Sequence, residues 1–281
     1  RDWIPLRDPI PKRKYNLNMD IKVWKERLSE LPLGEIFIYP ELGSTNQVAE
    51  ELILQGAPPL SLILADSQTA GKGRSGRSWT TYPGKALALS VILYPAPALV
   101  GGSQLEKLSG LGSLAVAQAL KTNLGLRPEI KWPNDVLVAR KKVSGVLVDL
   151  HWDGADLRSA VIGIGINVLK GSVPETKLNF PAAALEEFCN APISRLDLLI
   201  DLLQALMQWY PRIQSGSFLS AWNDFLAFRG EQVLLLSGDK VIQQGSLVGL
   251  DGDGSLLIMS DTGEQHSFRT GEIQLRLVDR S

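Results

Sequence analysis

The sequence is poor in the residues that build metal centres and disulfide frameworks. Among 281 residues there are two histidines, His151 and His266, and a single cysteine, Cys189. One thiol cannot form an intramolecular disulfide, which fits a reducing compartment. The histidines are far apart and no Cys/His cluster accompanies them, so we expect no structural zinc site. The chain also offers no credible Ser-His-Asp or Cys-His set for nucleophilic catalysis.

Long apolar runs and an excess of one charge are also missing. No run approaches the ~20 residues that a membrane-spanning helix needs, so we expect no membrane partner and a cytoplasmic protein. The 29 basic and 30 acidic residues give a net charge of −1, which argues against a general nucleic-acid surface. The N-terminus lacks the apolar core of a signal peptide. Residues 1–35 therefore predict an irregular arm and one short helix.

The most informative stretch is residues 66–79, where glycines alternate with cations before a tryptophan. Glycine lets a backbone approach a ligand closely, and guanidinium groups grip phosphate oxygens in pairs. An aromatic face can cover a flat ring. The stretch predicts a mobile loop that closes over a phosphorylated, ring-bearing ligand, although most such stretches are solvated loops. Its residues of interest are Gly71, Lys72, Gly73, Arg74, Gly76, Arg77 and Trp79.

Two familiar phosphate-binding motifs are rejected for this stretch. The glycine spacing fits the dinucleotide fingerprint, but that fingerprint requires a helix to open at its end. Here the turn at 80–85 leads to the apolar run 86–93, which predicts a strand. No Gly-x-x-x-x-Gly-Lys-Ser/Thr sequence occurs, so a Walker A loop is absent as well.

The hydrophobic pattern predicts a large α+β domain over residues 36–228 and a small β-barrel over 229–281. Capping boxes, in which a serine and a Glu or Gln three residues later cap a helix, are predicted at Ser44–Gln47 and Ser103–Glu106. Five short strands in about fifty residues, separated by Asp/Gly turns, predict the barrel. The predicted helices are 20–31, 45–55, 103–124, 196–209 and 219–228, and the first-domain strands are 35–39, 60–65, 86–93, 130–132, 136–138, 143–150 and 160–168.

Five segments carry polar residues at strand ends or turns. In their order and spacing they resemble the biotin–protein ligases of the biotin/lipoate ligase family, over roughly residues 36–277. The resemblance implies a mixed or antiparallel sheet flanked by helices, similar to class II aminoacyl-tRNA synthetases, with a small C-terminal SH3-like barrel. The segments are residues 43–46, 68–79, 131–135, 142–145 and 163–167.

The resemblance implies a biotin pocket built from several of these segments. Hydroxyl and amide side chains suit the ureido ring, which has one carbonyl and two N–H groups. Asn46 is given a supporting role, and Gly163 with Gly165 would form the pocket floor. On its own, Ser44 would be read only as a helix N-cap. The implied biotin-binding residues are Ser44, Thr45, Gln68, Gly71, Lys72, Gly145, Gly163 and Lys142.

A nucleotide site and a catalytic group are implied in the same way. Lys142 would offset charge in the transition state, although a lysine in a hairpin turn is usually just solvated. Asp135 would orient the acceptor amine, and Trp132 is assigned to packing. Lys72 departs from the arginine usual in the family, which keeps the charge but loses the planar fork. The implied ATP-binding residues are Arg74, Arg77, Trp79, Lys131, Asn134 and Asn167, and the implied catalytic residues are Lys142, Arg74 and Asp135.

The activity implied by the resemblance is ATP-dependent activation of biotin to biotinyl-5′-AMP, assisted by Mg²⁺ with unidentified ligands. Biotin then passes to a lysine of a biotin carboxyl carrier protein domain. A lipoate or octanoate ligase of the same fold is the alternative, against which the Gly-x-Gly-Arg-x-Gly-Arg-x-Trp loop and the barrel argue. A biotin-responsive repressor with an N-terminal winged helix-turn-helix domain is the third hypothesis. About forty residues precede the catalytic region, which are too few for such a domain, so no DNA partner is expected. Assembly is open, with a homodimer as one option.

Overall fold

A computed structural model describes residues 19–95, 104–176, 178, 180–269 and 273–277. Most of the predicted N-terminal arm and Ser103 of the second capping box lie outside the described residues. The predicted helices and strands are confirmed, with shifts of a few residues at their ends. The helices are α1 (Ile21–Leu28), α2 (Thr45–Leu54), α3 (Gln104–Leu124), α4 (Arg195–Trp209) and α5 (Gly216–Asp224).

Seven strands form the large sheet, in the spatial order β1-β2-β3-β7-β6-β5-β4. The β1–β2 pair is parallel and the other pairs are antiparallel, which confirms the predicted mixed sheet. None of the described helices is long and apolar enough to cross a bilayer. The strands are β1 (Ile36–Leu42), β2 (Leu62–Gln68), β3 (Ala86–Leu93), β4 (Pro128–Lys131), β5 (Asp135–Val138), β6 (Lys141–Asp153) and β7 (Asp156–Asn167).

The two faces of this sheet are covered very differently. Because side chains alternate along a strand, Leu62 and Leu64 of β2 face a large core that includes residues of α1, α3 and α4. Ile63 of the same strand faces the other way, into a small cluster with Ala49 of α2. The short helix α2 leaves part of the second face uncovered, and the candidate site lies there.

Helix α3 approaches its neighbours closely because it carries glycines. A Cβ at Gly110 would lie 2.6 Å from the Trp222 ring, and one at Gly112 would lie 2.8 Å from Val146 of β6. Real side-chain carbons do not approach this closely, so alanine at either position would push the helix away.

The β5–β6 hairpin aims Lys142 towards the site. Its two-residue turn places Ala139 (φ 48°) and Arg140 (φ 62°) in the left-handed region, which matches the twist of paired strands. The register then shifts, because Leu137 pairs with Lys142 while Val136 pairs with Ser144. Such a bulge redirects side chains and is frequent beside active sites.

The five predicted C-terminal strands are confirmed and form one antiparallel sheet, in the order β11-β10-β9-β8-β12. Its apolar residues, such as Val233 and Leu256, belong to the same core as α3. The Trp132 indole donates to the Gly254 carbonyl at 3.1 Å, which supports the packing role expected of Trp132. The boundary at 228 stays a prediction. The strands are β8 (Gln232–Ser237), β9 (Lys240–Leu250), β10 (Leu256–Met259), β11 (Gln265–Phe268) and β12 (Ile273–Leu277).

Candidate active site

A cavity of about 500 Å³ opens on the face of the large sheet that carries α2. This volume is in the range of small-molecule sites in proteins. All but one of the residues implied by the sequence line it, although they come from five separate segments. The lining residues that the sequence identified are Ser44, Thr45, Gln68, Lys72, Arg74, Arg77, Trp79, Lys131, Asn134, Asp135, Lys142, Gly145, Gly163 and Asn167.

The exception is Gly71, which is buried but does not line the cavity. A Cβ at this position would collide with the backbone carbonyl of Trp79. Gly71 also accepts a hydrogen bond from the Trp79 N–H at 2.8 Å. Glycine is therefore needed at Gly71 for the loop to fold back on itself, whether or not a ligand is bound.

One end of the cavity is a polar corner made by Ser44, Thr45 and Gln68. The predicted capping box at Ser44 is wrong, because the serine side chain makes no capping hydrogen bond. Gln68 caps the helix instead, since its Oε1 accepts from the Thr45 N–H at 2.8 Å and from the Thr45 hydroxyl at 3.2 Å. The Ser44 hydroxyl is thereby left facing the cavity.

These bonds fix which groups the corner presents to a ligand. The Thr45 N–H can only donate, so the amide oxygen of Gln68 must face it and the amide nitrogen must point elsewhere. The Thr45 hydroxyl hydrogen is used by Gln68, which leaves its oxygen lone pairs as acceptors. The corner therefore offers both a hydrogen-bond acceptor and donors to a small polar ring.

Asn46 lies on the cavity side of the sheet floor and is one of the lining residues. Its Oδ1 accepts from Ser90 Oγ at 2.6 Å, and its Nδ2 donates to Asp149 Oδ2 at 2.6 Å. A Cβ at Gly163 would collide with the Asn46 side chain. Gly163 is thus constrained by the Asn46 side chain, which lies on the same face of the sheet as the cavity.

The glycine-cation loop, residues 69–80, is called the flap below. It is a small hairpin in which Gly73 N–H donates to the Arg77 carbonyl at 2.7 Å. At its tip Ser75 adopts a left-handed conformation, with φ 54°. Arg74 reaches across the cavity and donates to Asn134 Oδ1 at 3.2 Å, so the flap and the residue 131–135 segment meet. Burial lowers the pKa of the Arg74 guanidinium, while the Asp135 carboxylate opposes that shift.

Trp79 ends the flap and packs against the sheet floor. The register pairs Gly145 of β6 directly with Gly165 of β7, and the indole lies over both. A Cβ at Gly165 would collide with the indole ring. The Lys142 ammonium lies 5.7 Å from the ring centroid, within reach of a cation–π interaction. Trp79 therefore forms a wall beside Lys142.

Asp135 is the centre of a partly buried charge cluster. Its carboxylate contacts Lys142 Nζ at 2.5 Å and Lys131 Nζ at 3.5 Å. Burial alone would raise the pKa of Asp135, but the two lysines outweigh it and lower that pKa to about 2. Burial lowers the pKa of Lys131 to about 8, although Asp135 opposes the shift. The neighbouring Lys141 is exposed and forms a loose surface pair with Glu187 at 3.8 Å.

The electrostatic balance of the cavity is strongly positive. Asp135 is the one carboxylate among the described lining residues, and six cations accompany it. Such an excess suits a ligand with several negative charges, above all a polyphosphate. The six cations are Lys72, Arg74, Arg77, Lys131, Lys142 and Arg276.

Two parts of the lining were missed by sequence reasoning. Arg276 comes from β12 of the C-terminal sheet, and nothing local in that strand marks it as a site residue. Val173, Leu178 and Phe180 come from the segment between β7 and α4, to which the sequence analysis gave no site residue. Hydrogen bonds from Lys142 N–H to the Pro181 carbonyl (2.8 Å) tie this segment to β6. The apolar side chains in this loop-like segment were the sequence signal that could have marked it as part of the cavity lining.

Sequence comparisons show which protein families and which individual proteins this chain is similar to. The chain matches the Biotin/lipoate A/B protein ligase family over residues 39–167 and the Biotin protein ligase C terminal domain over residues 228–276. The bifunctional ligase/repressor BirA of Escherichia coli (strain K12) is 31% identical over 287 residues, which cover 100% of this chain and 87% of that protein. The biotin–[acetyl-CoA-carboxylase] ligase of Paracoccus denitrificans is 30% identical over 238 residues, covering 79% and 93%.

Solved structures give the same match. The biotin protein ligase from Aquifex aeolicus in complex with biotin and ATP superposes with a TM-score of 0.72 at 31% identity. The alignment covers 87% of this chain and 99% of that one. The similarity thus extends across the large sheet and the C-terminal sheet, which together line the cavity.

Proposed function

Because the chain belongs to the biotin/lipoate A/B protein ligase family, we propose that this cavity activates biotin with ATP and hands it to a protein lysine. The observation that carries the proposal is the polarity of the cavity. The lining combines a polar corner suited to a cyclic urea with a cluster of cations that includes Lys142. This arrangement fits a biotin whose carboxylate meets a nucleotide phosphate.

The ureido ring of biotin is assigned to the corner formed by Ser44, Thr45 and Gln68. A ureido N–H can donate to the Thr45 oxygen, whose hydrogen is used by Gln68. The ureido carbonyl can accept from the Ser44 hydroxyl, which makes no capping bond. One ureido N–H and the ureido carbonyl then each have a partner of opposite kind, which stabilises a polar ring in a partly buried site.

Activation joins two anions, so the cations of the cavity are assigned to it. An oxygen of the biotin carboxylate attacks the α-phosphorus of ATP. A new carboxyl–phosphate bond forms, the bond from that phosphorus to the bridging oxygen breaks, and pyrophosphate leaves. Lys142 and Arg74 stabilise the extra negative charge at the reacting phosphate. Arg77, Lys131 and Arg276 are assigned to the remaining phosphates, and Asn134 and Asn167 to neutral contacts with the nucleotide.

Transfer requires an incoming amine, and Asp135 is assigned to orient it. The neutral amine of the acceptor lysine attacks the carbonyl carbon of the adenylate, the bond from that carbon to the phosphate oxygen breaks, and AMP leaves. The proton lost by the amine passes to water or to the departing phosphate. Lys142 and Lys131 lower the pKa of Asp135 to about 2, although burial opposes this shift. So weak a base cannot remove a proton efficiently at neutral pH. Asp135 therefore acts by holding Lys142 and by accepting a hydrogen bond from the amine.

The adenine ring is assigned to the apolar segment that the sequence reading missed. Val173, Leu178 and Phe180 provide an apolar part of the cavity lining. The Lys131 ammonium lies 4.7 Å from the Phe180 ring centroid, which links this segment to the cation cluster. A purine can lie against such side chains while its phosphates extend to the cations.

We propose that Mg²⁺ accompanies ATP rather than occupying a site made by the protein. Asp135 is already paired with Lys131 and Lys142, so it does not fit the role of a free metal ligand. The described part of the chain contains no cluster of three or more His, Cys, Asp or Glu side chains suited to a metal. In nucleotide sites Mg²⁺ commonly keeps several waters and is held by phosphate oxygens.

The acceptor, the assembly and the location are further parts of the proposal. A biotin carboxyl carrier protein domain is the proposed acceptor, because a relative is named a biotin–[acetyl-CoA-carboxylase] ligase. The strands β1 and β4 are the edges of the large sheet, and an edge can pair with a second copy, which supports a homodimer. The single thiol of Cys189 fits a cytoplasmic location.

The related lipoate reading is disfavoured by the polar corner. Lipoate and octanoate carry no ureido group, so they would leave Ser44, Thr45 and Gln68 without ligand partners. A site built for hydrogen bonds rejects an analogue that lacks them by about 10⁴-fold or more. The relatives from Paracoccus denitrificans and Aquifex aeolicus are likewise named as biotin ligases.

The experiment that tests the function is transfer to an acceptor. The full chain is incubated with ATP, Mg²⁺ and an apo biotin carboxyl carrier domain, with either biotin or lipoate, and the acceptor mass is measured. Addition of one biotinyl group, with no lipoyl group added at equal concentration, is the expected result. Addition of a lipoyl group at a similar rate would show that the enzyme is not specific for biotin. If neither acid is added to the acceptor, the proposed function is wrong.

A further inference from the structure

We infer that the buried ion pair between Asp66 and Arg195 holds the two ends of the flap in position. The effect of this pair on adenylate retention rests on the proposed ligase function. Neither residue lines the cavity. Their side chains are 2% and 5% exposed, and Arg195 Nη1 lies 2.8 Å from Asp66 Oδ1. They therefore act through the chain segments that they join.

The pair joins the two ends of the flap region. Asp66 lies on β2, two residues before Gln68, where the chain leaves the sheet. Its second oxygen accepts from the Gly84 N–H at 3.0 Å, in the turn that brings the chain back. Arg195 Nη1 also donates to the carbonyl of Ala86, the first residue of β3, at 2.9 Å. One carboxylate and one guanidinium thus hold the outgoing and the returning segments together.

The pair is also fixed from below by two helices. Arg195 is the first residue of α4, and its guanidinium lies 5.6 Å from the ring centroid of Trp24 in α1. The flap therefore begins and ends on a point that is tied to the helical layer. Gln68 and Arg74, which contact the site directly, extend from this point.

Stability alone does not account for such a pair. Moving two charges out of water is so costly that apolar replacements of a buried pair are often equally stable. Arg195 Nη2 is buried with no hydrogen-bond partner among the described residues, which adds to that cost. What apolar side chains could not supply is the directional bonding to Gly84 and Ala86. That bonding fixes the spacing of the flap ends, so Asp66 and Arg195 are positioning residues.

The test uses the double variant Asp66→Leu with Arg195→Met, which removes both charges together with the side-chain hydrogen bonds to Gly84 and Ala86 and leaves no unpaired ion. Trypsin can cleave after Lys72, Arg74 and Arg77, so the ligand-free chain reports on the flap without any enzymatic activity. Cleavage in the flap is expected to be about tenfold faster, because proteolysis follows the population of open states. Escape of bound biotinyl-adenylate is expected to accelerate by a similar factor, about tenfold.

Two control variants on α4 separate positioning from stability. Asp197→Asn removes an exposed ion pair with Arg27 and should change neither rate. Leu202→Ala removes a fully buried side chain and lowers the thermal midpoint without touching the flap ends. If Leu202→Ala speeds flap cleavage as much as the double variant at an equal loss of thermal midpoint, the inference is overturned.

The remaining outcomes also decide the question. Wild-type cleavage and escape rates in a folded double variant would overturn the inference. If the double variant does not fold, Arg195→Lys keeps the charge but loses the planar head, and a smaller rise in flap cleavage is expected; an unchanged rate would overturn the inference. If wild-type protein forms no adenylate, the proposed function fails, while the trypsin rates still decide whether the pair positions the flap.

Discussion

At the scale of single residues, the chemistry of the site depends on which neighbours each side chain contacts. Lys141 and Lys142 are adjacent in sequence, yet one forms a loose surface pair and the other contacts a carboxylate inside the cavity. Sequence alone could name Lys142 through the family resemblance, but not its contact with Asp135. That contact depends on the β-bulge between Val136 and Leu137, which no local pattern in the sequence revealed.

The two lysines provide a matched test of catalysis. Lys142→Ala is expected to slow adenylate formation about 10²–10³-fold, because it removes a cation from the charge that develops at the phosphate. Lys141→Ala should leave the rate unchanged. Single-turnover formation of biotinyl-AMP measures both. Equal effects of the two substitutions would show that Lys142 acts only through general surface charge.

Lys131 predicts a pH dependence of ATP binding. Burial lowers its pKa to about 8, so raising the pH through 8 removes its positive charge. The KM for ATP should therefore rise by up to about tenfold between pH 7 and pH 9, while the KM for biotin stays nearly constant. Lys131→Arg, which stays charged, should remove this step. Persistence of the same step in the arginine variant would assign it to another group.

At the scale of helices and strands, the site depends on close approaches that only glycine permits. Gly145 and Gly165 face each other across β6 and β7, and the Trp79 indole lies on both. The family resemblance implied that Gly163 and Gly165 form the floor beneath the ligand, whereas the space over Gly165 is occupied by the Trp79 indole. The sequence pattern also misassigned the Ser44 cap, because nothing local indicates that Gln68, 24 residues later, caps α2 instead.

The glycine pair gives a prediction for the strand floor. Gly165→Ala is expected to displace Trp79 and to weaken biotin binding about 10–100-fold, since an added carbon in a filled space typically costs about 1–3 kcal/mol. Gly43→Ala, where an added Cβ meets nothing within 4 Å, is the control and should bind biotin normally. Calorimetric titration with biotin compares them. Unchanged affinity in Gly165→Ala would mean that Trp79 is not part of the pocket wall.

At the scale of the whole molecule, the cavity is completed by chain segments far apart in sequence. The large sheet and the C-terminal sheet share one apolar core, and β12 brings Arg276 into the lining. Element types could be predicted because alternation and helical spacing are local signals. The contribution of Arg276 could not, because it depends on how two sheets pack. The order of motifs along the chain could identify the family without revealing that packing.

Arg276 predicts a role for the C-terminal sheet in nucleotide binding. Arg276→Ala is expected to raise the KM for ATP about tenfold, since a charged hydrogen bond contributes about 1.5–3 kcal/mol. The KM for biotin should not change. Arg269→Ala, which removes an exposed pair with Asp253, is the control. Initial rates at varied ATP and biotin decide this, and an effect on biotin alone would contradict the assignment.

The central claim is that the cavity forms and shelters an acyl-adenylate, and one measurement tests it most directly. The full chain is incubated with biotin, ATP and Mg²⁺ without any acceptor protein, passed rapidly through a desalting column, denatured and analysed by mass spectrometry. The account predicts close to one biotinyl-AMP per chain in the protein fraction, with pyrophosphate released. Intact biotin and ATP, with no adenylate in any fraction, would contradict it.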